Sequence, residues 1–312
     1  MSPRAPVSRQ SAGFIFVVLS ALALSFKGII AKVAFTYDVD PETLVAMRLY
    51  FSCATLIPML TLRRQWVRPS RPDAASLALL GAVGVTGAMV TSMESLQRID
   101  AGLSSLLTYT YPALIVFGGA LALRSTPARS TLAALALTLG GLALLLQIPA
   151  HSLDNPQLWP GVGYALASAV FCAYYHSRSV PLINKLGANT ALAYAMFAGT
   201  ITLTLWRGWR PLPSDWQPWA YAAVLGIVTG AIPHLLLAHG KARIGAENAS
   251  ITATISPAFA VSWGVLLLNE SLSGWQMLGM AAQIAGIVLL RRGHREQPTQ
   301  TTASLAAESC TS

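Results

Sequence analysis

Ten apolar runs follow one another along this chain, parted by short polar segments, near 12–34, 43–62, 76–97, 102–123, 130–148, 160–177, 188–206, 218–239, 248–268 and 274–291. A hydrocarbon layer about 30 Å thick is crossed by about 20 helical residues rising 1.5 Å each. Inside that layer every backbone N–H and C=O must find its partner within the chain, which an α-helix provides by itself. The expected fold class is all-α integral membrane, with ten transmembrane helices.

Composition agrees. Charged residues make up 11% of the chain and hydrophobic ones 54%, with a mean hydropathy of +0.54, whereas a soluble domain carries about 25% charged residues. Cys53, Cys172 and Cys310 lie far apart, the first two inside apolar runs, and offer neither a disulfide framework nor metal-ligand spacing. No cofactor and no metal is expected. Arg4 and Arg9 ahead of the first run, with small residues near Ala21–Ser25, imitate a cleavable leader. Apolar character resumes through Gly28–Ala34, so that run is read as a retained helix.

The chain also repeats itself. Arg98–Leu145 overlies Arg243–Leu290 at a constant offset of 145 residues without a gap, with 14 identities in 48 positions, among them Arg98/Arg243, Pro112/Pro257, Gly119/Gly264 and Gly141/Gly286. Two copies of one helical unit are expected, over 12–148 and 160–291, with a cytoplasmic N-terminal tail at 1–11 and a disordered cytoplasmic tail at 293–312. With the amino terminus in the cytoplasm, 15 of the 21 Lys and Arg fall inside, Lys241 and Arg243 among them. Only Arg98, Arg207 and Arg210 fall outside, while Lys27, Lys32 and Arg48 lie within spans. This is the positive-inside pattern, so both termini are expected in the cytoplasm and the chain in the cell's inner (plasma) membrane. The +9 formal charge is a topology signal of this kind and not a mark of nucleic-acid binding. Five spans per unit is an odd number, so the two units must enter the membrane in opposite senses. Inverted repeats of this kind can exchange their packings and build both an outward-open and an inward-open state.

Small residues mark close helix packing: Gly161, Ala165, Ala169 and Ala173 lie four apart, and Gly226 with Gly230 forms GxxxG. Trp206, Trp209, Trp216 and Trp219 bracket one outer loop, where indoles anchor at headgroups. Pro112, Pro233 and Pro257 fall inside spans as helix kinks, each withholding a donor from the carbonyl four residues earlier, Thr108, Thr229 and Ala253. Those carbonyls should face protein or a water-filled cavity.

Ionisable residues inside spans are costly, about 2.5–3.5 kcal/mol each at a helix centre, and so point to function. Lys27, Lys32, Arg48 and Glu94 share the outer half of the first unit. Either Glu94 neutralises Lys27 or Arg48, or the group leaves a basic vestibule for a carboxylate; Lys32 snorkels towards Asp38, Asp40 or Glu42. In the second unit Glu94 overlies His239 and Gly28 overlies His176, with His234 deeper beside Pro233. Histidine carries protons near neutral pH, which makes Glu94, His176 and His239 proton or gate candidates. Tyr109, Tyr111, Tyr175 and Trp263 offer rings with a polar tip to a cavity or to helix packing. No phosphate loop, HExxH or GxSxG is present, so nothing supports ATP hydrolysis, a zinc protease or a hydrolase nucleophile.

In this order the features resemble the drug/metabolite transporter superfamily, and from about Ala12 to Arg292 the short motifs resemble its EamA-type branch. The matches are Lys32 near the outer end of helix one, Pro41 followed by Arg48 in helix two, Pro112 and Pro257 in helices four and nine, and Asn269–Glu270 closing helix nine. The resemblance implies a secondary transporter, not an enzyme, working by alternating access around a cavity lined by helices one, three, four, six, eight and nine. It is most similar to aromatic amino acid exporters. The expected cargo is an amino acid or related small amphipathic metabolite, and the expected partners are that solute and the lipid bilayer, with no nucleic acid. Lys27 or Arg48 would attract a carboxylate, and Tyr109, Tyr111, Tyr175 and Trp263 would supply apolar contact. Phosphorylated sugars, nucleotides or drugs could use the same fold, and a lipid-acting enzyme would need converging ligands that the dispersed histidines do not supply.

Overall fold

The structure is a computed structural model and describes residues 9–62, 64, 66–99, 101–122, 124, 126–146, 156–208, 210–268 and 273–296. Most of both expected tails, Trp209 and Asn269–Glu270 lie outside the described residues. Those described are helical, with no strand among them. Seven segments are long and apolar enough to cross a membrane, with the shorter apolar Gly274–Leu290 beside them.

The helices are α1 (Arg9–Leu24), α2 (Lys27–Phe35), α3 (Pro41–Leu62), α4 (Arg71–Leu79), α5 (Thr86–Arg98), α6 (Ala101–Thr108), α7 (Tyr111–Ala122), α8 (Arg129–Leu146), α9 (Leu158–Leu186), α10 (Ala188–Arg207), α11 (Trp216–Gly226), α12 (Ile232–Ala253), α13 (Ser256–Leu268) and α14 (Gly274–Glu296). Wider π-type turns at Leu80–Val85 and Ile227–Ala231 join α4 to α5 and α11 to α12. The outer surface is apolar: Leu121 is 83% exposed and Leu205 76%. Water would penalise such a surface and lipid does not, so the helices are held together mainly by close fit.

That fit depends on missing side chains. A Cβ on Gly226 would lie 2.5 Å from the Arg48 carbonyl oxygen, and one on Gly230 2.7 Å from Ser52 Oγ, so the GxxxG face seats α11 and the following turn on α3. A Cβ on Gly141 of α8 would lie 2.6 Å from the Gly279 carbonyl oxygen of α14, and one on Gly286 2.9 Å from that of Ala134.

Several contacts occur twice. Gly13 lies against Arg243 and Ile244, and Gly161 against Arg98 and Ile99. Ser20 Oγ donates to the Pro233 carbonyl at 2.7 Å, and Ser168 Oγ to that of Ala88 at 3.1 Å. The Arg243 guanidinium lies 4.8 Å over the Phe16 ring, and that of Arg98 4.7 Å over Tyr164. In each pair the residues of α1 and α9 differ by 148 in number, and their partners by 145.

Two of the three singled-out prolines, Pro112 and Pro257, stand just after helix breaks, while Pro233 lies within a helical run unbroken over Trp216–Ala253. The helix stops at Tyr109–Thr110 and again at Thr254–Ile255, and Pro112 and Pro257 each occupy the second position of the segment that follows. Pro233 is likewise second in α12, after the wide turn. At a helix start, as at Pro112 and Pro257, a proline withholds a donor the helix does not use there, whereas within the run at Pro233 the missing donor leaves the Thr229 carbonyl to another partner. Both breaks are bridged alike, by Thr110 N–H to Leu107 C=O and Ile255 N–H to Thr252 C=O, at 3.2 and 3.3 Å. A further break, at Ser25–Phe26, divides the first apolar run into α1 and α2.

Candidate substrate cavity

The breaks surround a cavity of about 490 Å³, within the usual range for small-molecule sites. Its walls come from the α1–α2 junction, α3, α5, α6, the Tyr109–Thr110 break, α9, α12 and α13. Lys27, the first residue of α2, and Arg48 of α3 both line it. Lys27 Nζ donates to Ser92 Oγ of α5 at 3.1 Å. Arg48 is 2% exposed, and its Nη2 donates to the Thr229 carbonyl at 2.8 Å. That carbonyl is one of the three the prolines were expected to free, and it points at the cavity's guanidinium.

Among the described residues no carboxylate lies within 4 Å of Lys27 or Arg48. The ion pairs found there are Glu94–Arg98, Asp73–Lys185 and Glu42–Arg210. Three buried polar atoms with no hydrogen-bond partner belong to cavity residues: Arg48 Nε, Thr108 Oγ1 and His176 Nδ1. A buried polar group left without a partner costs about 1–3 kcal/mol, so these atoms are placed to be satisfied by a polar guest.

The aromatic residues divide. Tyr109, Tyr111 and Tyr175 line the cavity, with Tyr111 4.8 Å from the His176 ring. Trp263 does not line it. Its Nε1 donates to Ser25 Oγ at 3.0 Å and its ring stacks on Phe26 at 5.1 Å, which braces the break that aims Lys27. His234 lines the cavity too, its Nδ1 2.7 Å from the Gly230 carbonyl.

Glu94 and His239 lie away from the cavity. Glu94 pairs with Arg98 one turn along α5, the nearest cation a helix can offer it, and so neutralises neither Lys27 nor Arg48. His239 Nε2 meets Asn189 Oδ1 at 2.8 Å, and its ring packs 6.0 Å from Phe16. Of the gate candidates, His176 alone is in the cavity wall.

Two cations expected in loops are buried. Arg207 donates from Nε to Thr43 Oγ1 and from Nη2 to the Pro211 carbonyl. Lys241 is 1% exposed, with Nζ 2.8 Å from Ser179 Oγ and 4.4 Å from the Tyr175 ring centroid. The sequence window ended at residue 239, whereas α12 continues through a kink at Gly245, whose φ of 78° only glycine adopts cheaply. A helix continuing past 239 was the signal that could have placed Lys241 inside.

Against known proteins, the model of the EamA-like transporter family matches the chain twice, over residues 11–147 and 159–292. The chain is 26% identical to an uncharacterised transporter, YcbK, of Bacillus subtilis, over 88% of this chain and 90% of that one. It is also 26% identical to a probable terminal-alkyne amino-acid exporter of Streptantibioticus cattleyicolor, over 72% and 75%. A solved crystal structure superposes with a TM-score of 0.75 at 19% identity, covering 93% of this chain and 100% of the other.

Proposed function

The chain belongs to the EamA-like transporter family, and from that premise we propose that it exports amino acids or related small amphipathic metabolites by alternating access. The observation that carries the reading is the pair of cations without carboxylates, Lys27 and Arg48, in one cavity walled by Tyr109, Tyr111 and Tyr175. In a water-poor, low-dielectric site an uncompensated cation attracts a carboxylate far more strongly than it does in water. The tyrosine rings give an apolar side chain its surface, and the partnerless atoms of Thr108 and His176 can take further polar groups. A relative described as an amino-acid exporter supports the cargo class.

Ten crossings in two inverted five-helix units are part of this reading. The doubled family match and the paired contacts of α1 with α12 and of α9 with α5 support it. With both termini in the cytoplasm, the cavity's lining by Leu96, Ser104 and Leu146 sets it towards the outer side, which supports reading this conformation as outward-facing in the inner membrane.

The test is flux in proteoliposomes. Labelled amino acids should exchange by counterflow with no product formed, and a run with and without a pH gradient reads proton coupling directly. Lys27→Ala should weaken carboxylate-bearing cargo about tenfold more than its neutral amide, the loss of one charge-assisted contact. Equal losses for both would refute the anion role of Lys27, and chemical conversion without flux would remove transport altogether.

A further inference from the structure

Two lysines bridge helices in the same manner, one in the open cavity and one outside it. Lys27 reaches from α2 to Ser92 of α5, and Lys241 reaches from α12 to Ser179 of α9. Applying the offsets of the paired contacts, 148 for α1–α2 onto α9 and 145 for α5 onto α12, sets Lys27 over Tyr175 and Leu96 over Lys241. Tyr175 and Lys241 touch. Each corresponding pair thus holds one cation, carried by opposite members.

Lys241 is hidden from the cavity by Tyr175. Tyr175 lines the cavity and also lines a narrow seam with Leu80, Ser179, Ile183 and Ala191 that has no room for water. Among the described residues no carboxylate lies within 4 Å of Lys241. A buried ammonium is expensive, and a hydroxyl and a ring face return only part of its hydration. Leucine or methionine would hold a merely structural seam without that cost.

We propose that Lys241 is a second carboxylate station, uncovered when the seam behind Tyr175 opens towards the cytoplasm, where it holds the cargo's carboxylate as Lys27 does in the outward cavity. This rests on the exporter reading. If the two units exchange packings, the α9–α12 seam becomes the counterpart of the α2–α5 wall, and its lysine becomes the cation facing the cargo.

The experiment is initial-rate flux of phenylalanine and of phenylalaninamide in right-side-out and inside-out membrane vesicles. Lys241→Met should raise the half-saturation concentration for phenylalanine about tenfold at the cytoplasmic face, as loss of one charge-assisted contact does. The external-face value and both amide values should stay within about twofold, since those complexes do not use the station. Lys27→Gln should show the mirror-image pattern. Ser179→Asp supplies Lys241 with its own carboxylate and keeps the bridge, so it should copy Lys241→Met if the station binds cargo; a pure staple predicts wild-type flux at both faces. Losses alike at both faces, or alike for acid and amide, overturn the proposal. A carboxylate preference abolished by Lys27→Gln and untouched by Lys241→Met overturns it alone, whereas wild-type protein without that preference at either face overturns the exporter reading and this proposal together.

Discussion

Arg48 and Pro233 are coupled through one carbonyl, and the coupling can be measured. Pro233 has no N–H to give the Thr229 carbonyl four residues earlier, and Arg48 Nη2 donates there at 2.8 Å. Replacing Arg48 with methionine removes that donor and also relieves the burial of a guanidinium whose Nε has no partner. The single substitution therefore mixes two terms of opposite sign, and its net effect decides nothing. Pro233→Ala separates them, because an alanine N–H at 233 can serve Thr229 in place of Arg48. Interhelical hydrogen bonds in membranes average about 0.6 kcal/mol and reach about 1.7, while bonds from charged donors run to about 1.5–3 in general. The overlap of these ranges sets the expected coupling at about 1.5 kcal/mol, with Arg48→Met costing less in the Pro233→Ala background. The assay is equilibrium unfolding by dodecyl sulfate in mixed micelles for the wild type, both single variants and the double variant. Distant independent sites add within about 0.3–0.5 kcal/mol, so additivity within that margin would refute the shared-carbonyl argument. The double variant should recover stability without recovering carboxylate preference, because the backbone donor replaces the bond and leaves the charge missing.

Two further predictions concern fit and field. Gly279→Ala brings a methyl 2.5 Å from the Gly141 carbonyl oxygen and 2.7 Å from Leu145 N, both backbone atoms that cannot turn aside; it should cost about 1–3 kcal/mol in the same unfolding assay, the usual range for overpacking. Gly118→Ala, with nothing within 4 Å of the added methyl, should cost nothing, and equal effects at the two sites would refute the close-packing account. Cys172 lines the cavity, so in a Cys53→Ser, Cys310→Ser background an anionic methanethiosulfonate should label it about tenfold faster than a cationic one of similar size, the lower end of electrostatic steering. Lys27→Gln should narrow that ratio, and equal rates in the parent protein would show that the cavity carries no net positive field.

What the sequence conveys well is position along a helix. Run length marked the apolar segments, four-residue spacing marked the Gly161–Ala173 and Gly226–Gly230 faces, and Lys27 and Arg48 stood out because charge inside an apolar run has few bland explanations. What it conveys poorly is rotation about the helix axis. Each residue turns the helix by about 100°, so a boundary uncertain by two residues leaves the facing side undetermined. Position along the apolar runs set Glu94 at the expected depth of Lys27, yet Glu94 points to Arg98, and only the azimuth separates those outcomes. Trp263 likewise lies on a cavity-lining helix but turns to Ser25 and Phe26. Lys241 failed for a different reason: a charge near the end of an apolar window reads as loop by default, and nothing local reveals that Ser179 and Tyr175, over sixty residues earlier, cover it.

The doubled contacts and the charges without a repeat mate follow different rules, and the difference separates residues that repeat with the frame from those that do not. Gly13 and Gly161, Ser20 and Ser168, and Arg98 and Arg243 keep their chemistry at corresponding positions, because each closes a fit that both units require. Lys27 answers to Tyr175, Leu96 to Lys241 and Glu94 to His239, so these titratable groups, unlike Arg98 and Arg243, are not repeated between the units. Two identical units exchanging packings would have end states of equal energy, and only such differences can make one face bind more tightly or rest open more often. The mismatched positions Lys27/Tyr175 and Leu96/Lys241 meet at the cavity wall and at the seam behind Tyr175, where a difference between the units can bear on a bound solute, while Glu94 and His239 lie away from the cavity.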